Sequence, residues 1–561
     1  MDSFWTGTVA DVRGSWVRPA SVRGLFAVPL MVAIVLGVTS VGAAPVLAQG
    51  VPSAAAGPPG TGLAWGDNAE SQLGDGTTTN SSTPVTVDVP ADTTITAVAA
   101  GQGHSLAVTS AGTVLAWGAN SSGQLGDGTT TPRSTPVAVD LPAGTTVTAV
   151  AAGDRHSLAV TSTGTVLAWG LNVTGQLYDG TTTTNSSTPI VVDLPAGTTV
   201  TAVAAGNAHS LALTSAGTVL AWGANSSGQL GDGTTTPRST PVAVDLPAGT
   251  TISTIAASSS SHSLAVTSTG TMLAWGANFT GQLGDGTITN RSTPVAVDLP
   301  AATTVTAVAT GSGHSLAVTS TGTMLAWGGN GSGQLGDGST TSSSIPVAVD
   351  LPAGTTVTAV AGGAGHSLAV TSTGTMLAWG FNTSGQLGDG TTSNRSIPIA
   401  TDLPADTTIT AIAGGSFHSL AIVPSASTTT LQVSPPNPTP DQPVTLTATV
   451  TCTASTPTGT VTYLDDTTIL GTEPLSGNPT ATATLTVTRL TPGTHHIQAR
   501  YNGDNNCPTS TSNPTTVTIP KPTIPVTGTS LPTILTAGIL LTLTGTALTL
   551  ATHRRRPTHR P

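Results

Sequence analysis

The 561-residue sequence predicts an all-β protein: a seven-bladed β-propeller followed by a smaller β-sandwich, with an N-terminal signal peptide and a C-terminal transmembrane helix. Three observations carry the propeller. Trp65, Trp117, Trp169, Trp222, Trp275, Trp327 and Trp379 stand 52, 52, 53, 53, 52 and 52 residues apart, the spacing of an array of supersecondary units. Each repeat holds three β-prone runs joined by glycine-containing turns, as in residues 146–151, 156–161 and 165–169, and no helical period. The two ends of the array are also complementary. Residues 61–65 enter a repeat without its two preceding strands, and residues 407–423 leave one without its Trp strand, so each completes the other and closes the ring.

Composition agrees with short strands between turns. Charged residues make up 7% of the chain, against about 25% in an average soluble protein. With 66 Gly and 40 Pro, long helices, coiled coils and a charge-rich disordered chain are disfavoured. In residues 49–528, 24 acidic residues face seven arginines and Lys521, a net charge of −16. No basic cluster is present there to meet nucleic-acid phosphates, so no nucleic-acid partner is expected.

The ends of the chain indicate an address. Arg13, Arg18 and Arg23 precede an apolar run over residues 25–41, and Val46, Leu47 and Ala48 precede a cleavage point before Gln49, so residues 1–48 are expected to be a signal peptide. Residues 531–551 are apolar and uncharged, and Arg554, Arg555, Arg556 and Arg560 follow, the pattern of one span with a cytoplasmic basic tail. Before that span, Ile524, Pro525, Val526, Thr527 and Gly528 resemble the LPxTG sorting signal of Gram-positive surface proteins, with Ile524 in place of the family's Leu. The resemblance implies cleavage after Thr527 by a sortase and linkage to peptidoglycan. Without cleavage, the span in residues 521–561 is a membrane anchor. Either way the expected location is the surface of a Gram-positive, actinobacterial cell.

The repeat text LAWGxNxxGQLGDG, with His-Ser-Leu-Ala-Val-Thr one strand earlier, resembles the RCC1 (regulator of chromosome condensation) repeat family over residues 62–424. That family forms seven-bladed propellers. Ser258 to Ser261 depart from its glycine before His262, and Tyr178 from the second glycine of GQLGDG. Neither a Gly-Gly pair with its Tyr nor a Trp-Asp ending favours kelch or WD40 blades. Guanine-nucleotide exchange, known in the nuclear member of the family, does not follow from the fold.

Residues repeated identically serve the blade, since a catalytic centre needs unlike groups at one point. His104, His156, His209, His262, His314, His366 and His418 are therefore expected to be structural, bridging backbone groups of the loops. The aspartates Asp75, Asp127, Asp179, Asp232, Asp285, Asp337 and Asp389 come one per blade, whereas calcium needs several oxygen ligands in one loop, so they are assigned to turns. The Asn-x-Ser/Thr triplets at Asn120, Asn172 and Asn278 are read as turn residues too. No catalytic residue, metal site or cofactor is expected.

Binding is expected where the repeats differ. Alternating strand direction sends the GxxH and WGxNxxGQ loops to one face of the ring and the Thr-Ser-x-Gly hairpins to the other. On the first face stand Asp154, Arg155, Leu171, Tyr178, Phe279, Phe381 and Phe417, together with Asp67, Glu70, Gln102, Val173 and Asn207. Exposed aromatics among Gly, Ser and Asn have the chemistry of interface anchors.

Residues 425–520 carry Pro457-Thr458-Gly459-Thr460-Val461-Thr462-Tyr463, then Leu490-Thr491-Pro492-Gly493-Thr494 and Tyr501-Asn502-Gly503-Asp504, and resemble the bacterial Ig-like domains of surface proteins. That resemblance implies a sandwich in which the strand ending at Cys452 and the strand before Cys507 run the same way, so that these two cysteines meet in a disulfide. The domain reads as a spacer. The functional expectation is a non-enzymatic surface protein that presents a monomeric propeller on an Ig-like stalk for adhesion or recognition of a protein or glycan. The alternative is an exported inhibitor or regulator of an extracellular enzyme, after the resemblance to the β-lactamase inhibitor propeller.

Overall fold

The computed structural model describes residues 60–523, except 179–183, 405–406, 454, 478–479 and 505. The expected signal peptide, the pentapeptide at 524–528 and the apolar span lie outside the described residues.

The described chain is built of strands. Blade 1 comprises the antiparallel strands Ile95–Ala100, His104–Thr109, Val114–Gly118 and Arg133–Ala138, counted from the axis outward, and one pairing of Gly60 with Ile95 joins it to blade 7. Blades 2 to 6 repeat it around Trp169, Trp222, Trp275, Trp327 and Trp379. Blade 7 is composite: Ala411–Gly414 and His418–Pro424 come from the end of the array, Gly60–Gly66 and Ser81–Thr86 from its beginning. Trp65 stands opposite Ser419 and Ala64 opposite Leu420, the same pairing that Trp117 and Ser105 make inside blade 1. The ring therefore closes where the phase of the repeats requires it.

The fourth, outermost strand was not among the three runs legible in the sequence. Its Pro136 has no N–H to give a ladder, and its pairing with Val114–Gly118 is irregular between Ala116 and Gly118. Proline is tolerated there because an edge strand has only one partner.

The core lies between blades. The side chain of each of the seven repeat tryptophans is fully buried. Trp169 packs on Leu125, Val139 and the blade 1 strands, and Trp65 packs on Leu368, Met376 and Leu387 of blade 6, so the last gap is filled like the others. Near the axis the inner strands end in small residues such as Ala100, Ala152, Ala205 and Gly362, which line the central cavity. The two 53-residue spacings have local causes. Ser258 N–H reaches His262 O across one more residue than Gly101 N–H needs to reach His104 O. Likewise Asn172 N–H reaches Asn185 Oδ1 thirteen residues on, where Asn68 and Asn278 reach twelve.

The second domain packs Ser427–Ser434, Val444–Cys452 and Ala481–Val487 against a five-stranded sheet centred on Thr460–Asp465 and Gly493–Tyr501. Alternate residues of Val444–Cys452 point inward, and Val444, Leu446, Ala448 and Val450 meet Val461, Tyr463, Ile497 and Tyr501 in one core. Cys452 and Cys507 form a disulfide, with Cα atoms 6.0 Å apart.

Candidate functional site

The loops of the GxxH face stand on a buried ring of hydrogen bonds. The Nε2 of His104 lies 3.0 Å from Ser157 Oγ in the next blade, and the same contact recurs around the ring at 3.0 to 3.2 Å until His418 meets Ser105 at 3.0 Å. Each serine hydroxyl in turn donates to a glutamine carbonyl, as Ser157 does to Gln124 O at 2.8 Å. The indole N–H of the following strand donates to the same oxygen, Trp169 at 2.9 Å.

This geometry assigns the tautomer. A hydroxyl that has given its one proton to a carbonyl accepts from its other neighbour, so the proton of each imidazole sits on Nε2 and Nδ1 is bare. All seven Nδ1 atoms are buried without a partner. Burial, helped by neighbouring imidazoles, pushes His104, His209, His262 and His366 down to about 3; burial alone takes His418 to about 3 and His156 and His314 to about 4. The histidines are structural, but they bridge blade to blade through serine side chains. Bridging of loop backbone groups, expected from the sequence, is not what they do. The serine after each histidine recurs as faithfully as the histidine and was the available signal.

The WGxN loops are organised by their asparagines. Asn120 is fully buried; its Nδ2 donates to Asp127 Oδ1, Thr129 O and Thr131 O, and its Oδ1 accepts from Leu125 N–H. Asp127 Oδ2 takes Arg133 at 2.6 Å, and Asp232, Asp285 and Asp389 take Arg238, Arg291 and Arg395 likewise. Burial pushes these carboxyls up, but hydrogen bonds from Thr129 and its equivalents and from the arginines outweigh it, and each ends below its ordinary value. Asp75, Asp127, Asp232, Asp285, Asp337 and Asp389 thus hold turns, each accepting the N–H two residues on; Asp179 lies outside the described residues. Among the described residues no cluster of three or more His, Cys, Asp or Glu is placed to hold a metal.

On this frame the variable residues form two separate groups. At blades 6 and 7, Phe381 and Phe417 pack with ring centroids 5.9 Å apart and planes tilted by 56°. Phe417 is 41% exposed, and its carbonyl accepts from Asp67 N–H. Phe279 in blade 4 stands alone and is 71% exposed. Across the ring in blade 2, Leu171 N–H donates to Arg155 O, and exposed Val173 follows. Asp154 lines a cavity of about 40 Å³ whose other walls are glycine, alanine, serine and threonine from all seven blades. Its Oδ2 accepts from Asn207 Nδ2 at 2.9 Å, and burial raises it to about 6, opposed by Arg155.

Tyr178 does not join either group. It occupies the position of Gly126, whose φ is +71° and whose Cβ would meet Trp169 Nε1 at 2.7 Å. Tyr178 holds a left-handed φ of +51° there and packs half-buried on the cluster containing Trp222, Ile190 and Leu194. Its side chain belongs to the packing between blades 2 and 3.

Comparison with known proteins identifies the ring. The RCC1-like domain family matches residues 61–421, and the bacterial Ig-like domain (group 3) matches residues 430–520. The ultraviolet-B receptor UVR8 of Arabidopsis thaliana is 33% identical over 329 residues, 58% of this chain and 74% of that protein. The human E3 ubiquitin-protein ligase HERC2 is 32% identical over 369 residues, 65% of this chain but 8% of that protein. Human WBSCR16 superposes with a TM-score of 0.59 at 24% identity, over 65% of this chain and 99% of that one. Yeast RCC1 (Prp20), solved with Kap60, gives 0.60 at 23% identity, over 71% and 96%. At such identities these two structures attest the fold alone. A ring of seven closed blades, whose repeats run through the whole matched segment, makes this chain a member of the RCC1-like domain family that carries a bacterial Ig-like domain after its propeller.

Proposed function

We propose that this chain is a non-enzymatic surface protein whose propeller recognises an extracellular protein through the GxxH face. Export by residues 1–48 and retention through the 524–528 signal or the span behind it complete the proposal. The observation that carries it is the pair Phe381 and Phe417 with solvent-facing Phe279, large aromatic side chains on loops rich in Gly, Ser, Thr and Asn. Isolated exposed apolar residues are ordinary on a surface. Here they sit on loops braced by the His-Ser ring and the Asn-Asp turns, so an incoming partner need not order them, and that preorganisation lowers the cost of binding.

The test uses the exported chain. Proteins captured from the cell's surroundings by the wild type are compared with those captured by a Phe279→Ser, Phe381→Ser, Phe417→Ser variant of unchanged melting temperature. Loss of a captured protein supports the face; equal capture removes it. Release of a glycan ligand by free sugar points instead to carbohydrate recognition. Wall extraction from cells with and without a sortase reads the anchoring.

A further inference from the structure

Among the described residues, the side chain of Asn506 in the second domain makes three hydrogen bonds to the propeller. The carboxamide oxygen of Asn506 accepts from Thr94 Oγ1 at 2.7 Å and from Ser110 Oγ at 2.9 Å, and its Nδ2 donates to Asp92 O at 3.0 Å. Thr94 and Ser110 flank the hairpins of blade 1 on the face opposite the GxxH loops.

The other blades serve as internal controls. Thr94 is 0% exposed. Its equivalents Thr146, Thr199, Thr251, Thr304 and Thr356, of identical type and backbone position, are all exposed. Ser110 is half-buried, whereas Ser162 and Ser372 at the same turn are exposed. The repeat makes the same hydroxyl pair in each of these blades, and only in blade 1 is it covered.

Asn506 is also held by a hydrogen bond within its own domain. Asp504 Oδ1 accepts from the N–H groups of Asn506 and Cys507 at 2.8 and 2.7 Å, and Asp504 Oδ2 accepts from Thr458 N–H and Oγ1 at 2.7 Å each. The disulfide to Cys452 holds the far side. Only Ser425 and Ala426 separate the last propeller strand from the first strand of the sandwich, so the dock forms at a high effective concentration.

We infer that Asn506 is a latch: its carboxamide pins the Ig-like domain to the blade 1 hairpins, making that domain a fixed arm on the Thr-Ser face and leaving the opposite face uncovered. A carboxamide suits the place because it offers one acceptor to two hydroxyl donors and one donor to a carbonyl; a carboxylate cannot supply the donor. This inference stands whether or not the aromatic face binds a partner.

Amide hydrogen exchange on the full chain tests it, with the propeller as its own reference. In the wild type, peptides covering residues 92–112 are expected to exchange about tenfold more slowly than those covering residues 144–164. Asn506→Asp, which keeps the side-chain size, and Asn506→Ala are expected to bring the two to the same rate, and Ser110→Ala, made on the propeller side, to act alike. The Asn506→Ala, Ser110→Ala double variant then adds little, as for two partners of one contact. Retained slow exchange over residues 209–214 and 444–452 shows that both domains remain folded. Equal exchange of the two hairpins in the wild type, or slow exchange at 92–112 that survives both single variants, overturns the latch.

Discussion

His418 Nε2 lies 3.0 Å from Ser105 Oγ, joining the last repeat of the array to the first. This contact is chemically identical to the six inside the array, so the ring has no weaker seam in its hydrogen bonding. Backbone pairing of Trp65 with Ser419 closes blade 7 by the same residues. A propeller whose closure reuses the repeat's own contacts avoids the exposed edges of a linear array.

Loss of that contact should be costly. Ser105→Ala leaves Gln72 O with its bond from Trp117 Nε1, but strands the Nε2–H of His418 in a buried site. Chemical denaturation is expected to show a loss of about 1–3 kcal/mol. The paired change with His418→Ala should be distinctly non-additive, since each single change already breaks the same bond.

Acid should unfold the propeller early. Seven imidazoles stay neutral in the native ring down to about 3 or 4, while unfolded imidazoles protonate near 6.5. Their folded values are depressed, so the unfolded state binds more protons below 6.5, and stability is present above that pH and lost as pH falls. Each contributes about 1 kcal/mol per pH unit in that window. Calorimetry between pH 7 and 4 is expected to show a steeply falling melting temperature; a flat profile would mean that the ring already carries charge.

His495 in the sandwich should respond the other way. Burial lowers it, but its bonds to Thr491 O at 2.8 Å and to Asp465 Oδ2 at 2.6 Å, with the nearby carboxylates, raise it above its ordinary value overall. A raised folded value gives stability below the unfolded pKa that is lost as pH climbs through the folded one. Proton NMR titration should place His495 above the ordinary imidazole value, and Asp465→Asn should bring it down.

Gly126→Ala combines two penalties. The residue sits at φ +71°, and a Cβ would meet the Trp169 indole at 2.7 Å. Left-handed strain and overpacking together are expected to cost about 2–4 kcal/mol. Gly128→Ala, at φ +77° with no atom within 4 Å of its Cβ, isolates the strain alone and should cost about 1 kcal/mol.

Much of the candidate face was readable from strand alternation, which puts residues 154, 279, 381 and 417 on loops at one end of the blades. Alternation could not show that Phe381 and Phe417 touch while Phe279 stands apart, because those distances depend on the angle between neighbouring blades. Tyr178 was misplaced for a related reason: its loop position lies on that end, but its backbone turns the side chain into the gap before Trp222.

Blade number, ring closure and the small-residue core near the axis follow from the repeat itself. Periodicity encodes local strands and turns, and a missing half-repeat at each end leaves one way to pair them. The His-Ser ring, the proline-bearing outer strand and the Asn506 contact emerge only in three dimensions. Each joins groups that no local pattern relates: a histidine and a serine 53 or 54 residues apart, or an asparagine and a threonine separated by 412. Identical hydroxyl pairs recur in blade after blade, so composition alone could not say which one the second domain covers; the hydrogen bonds of Asn506 fall on the pair in blade 1.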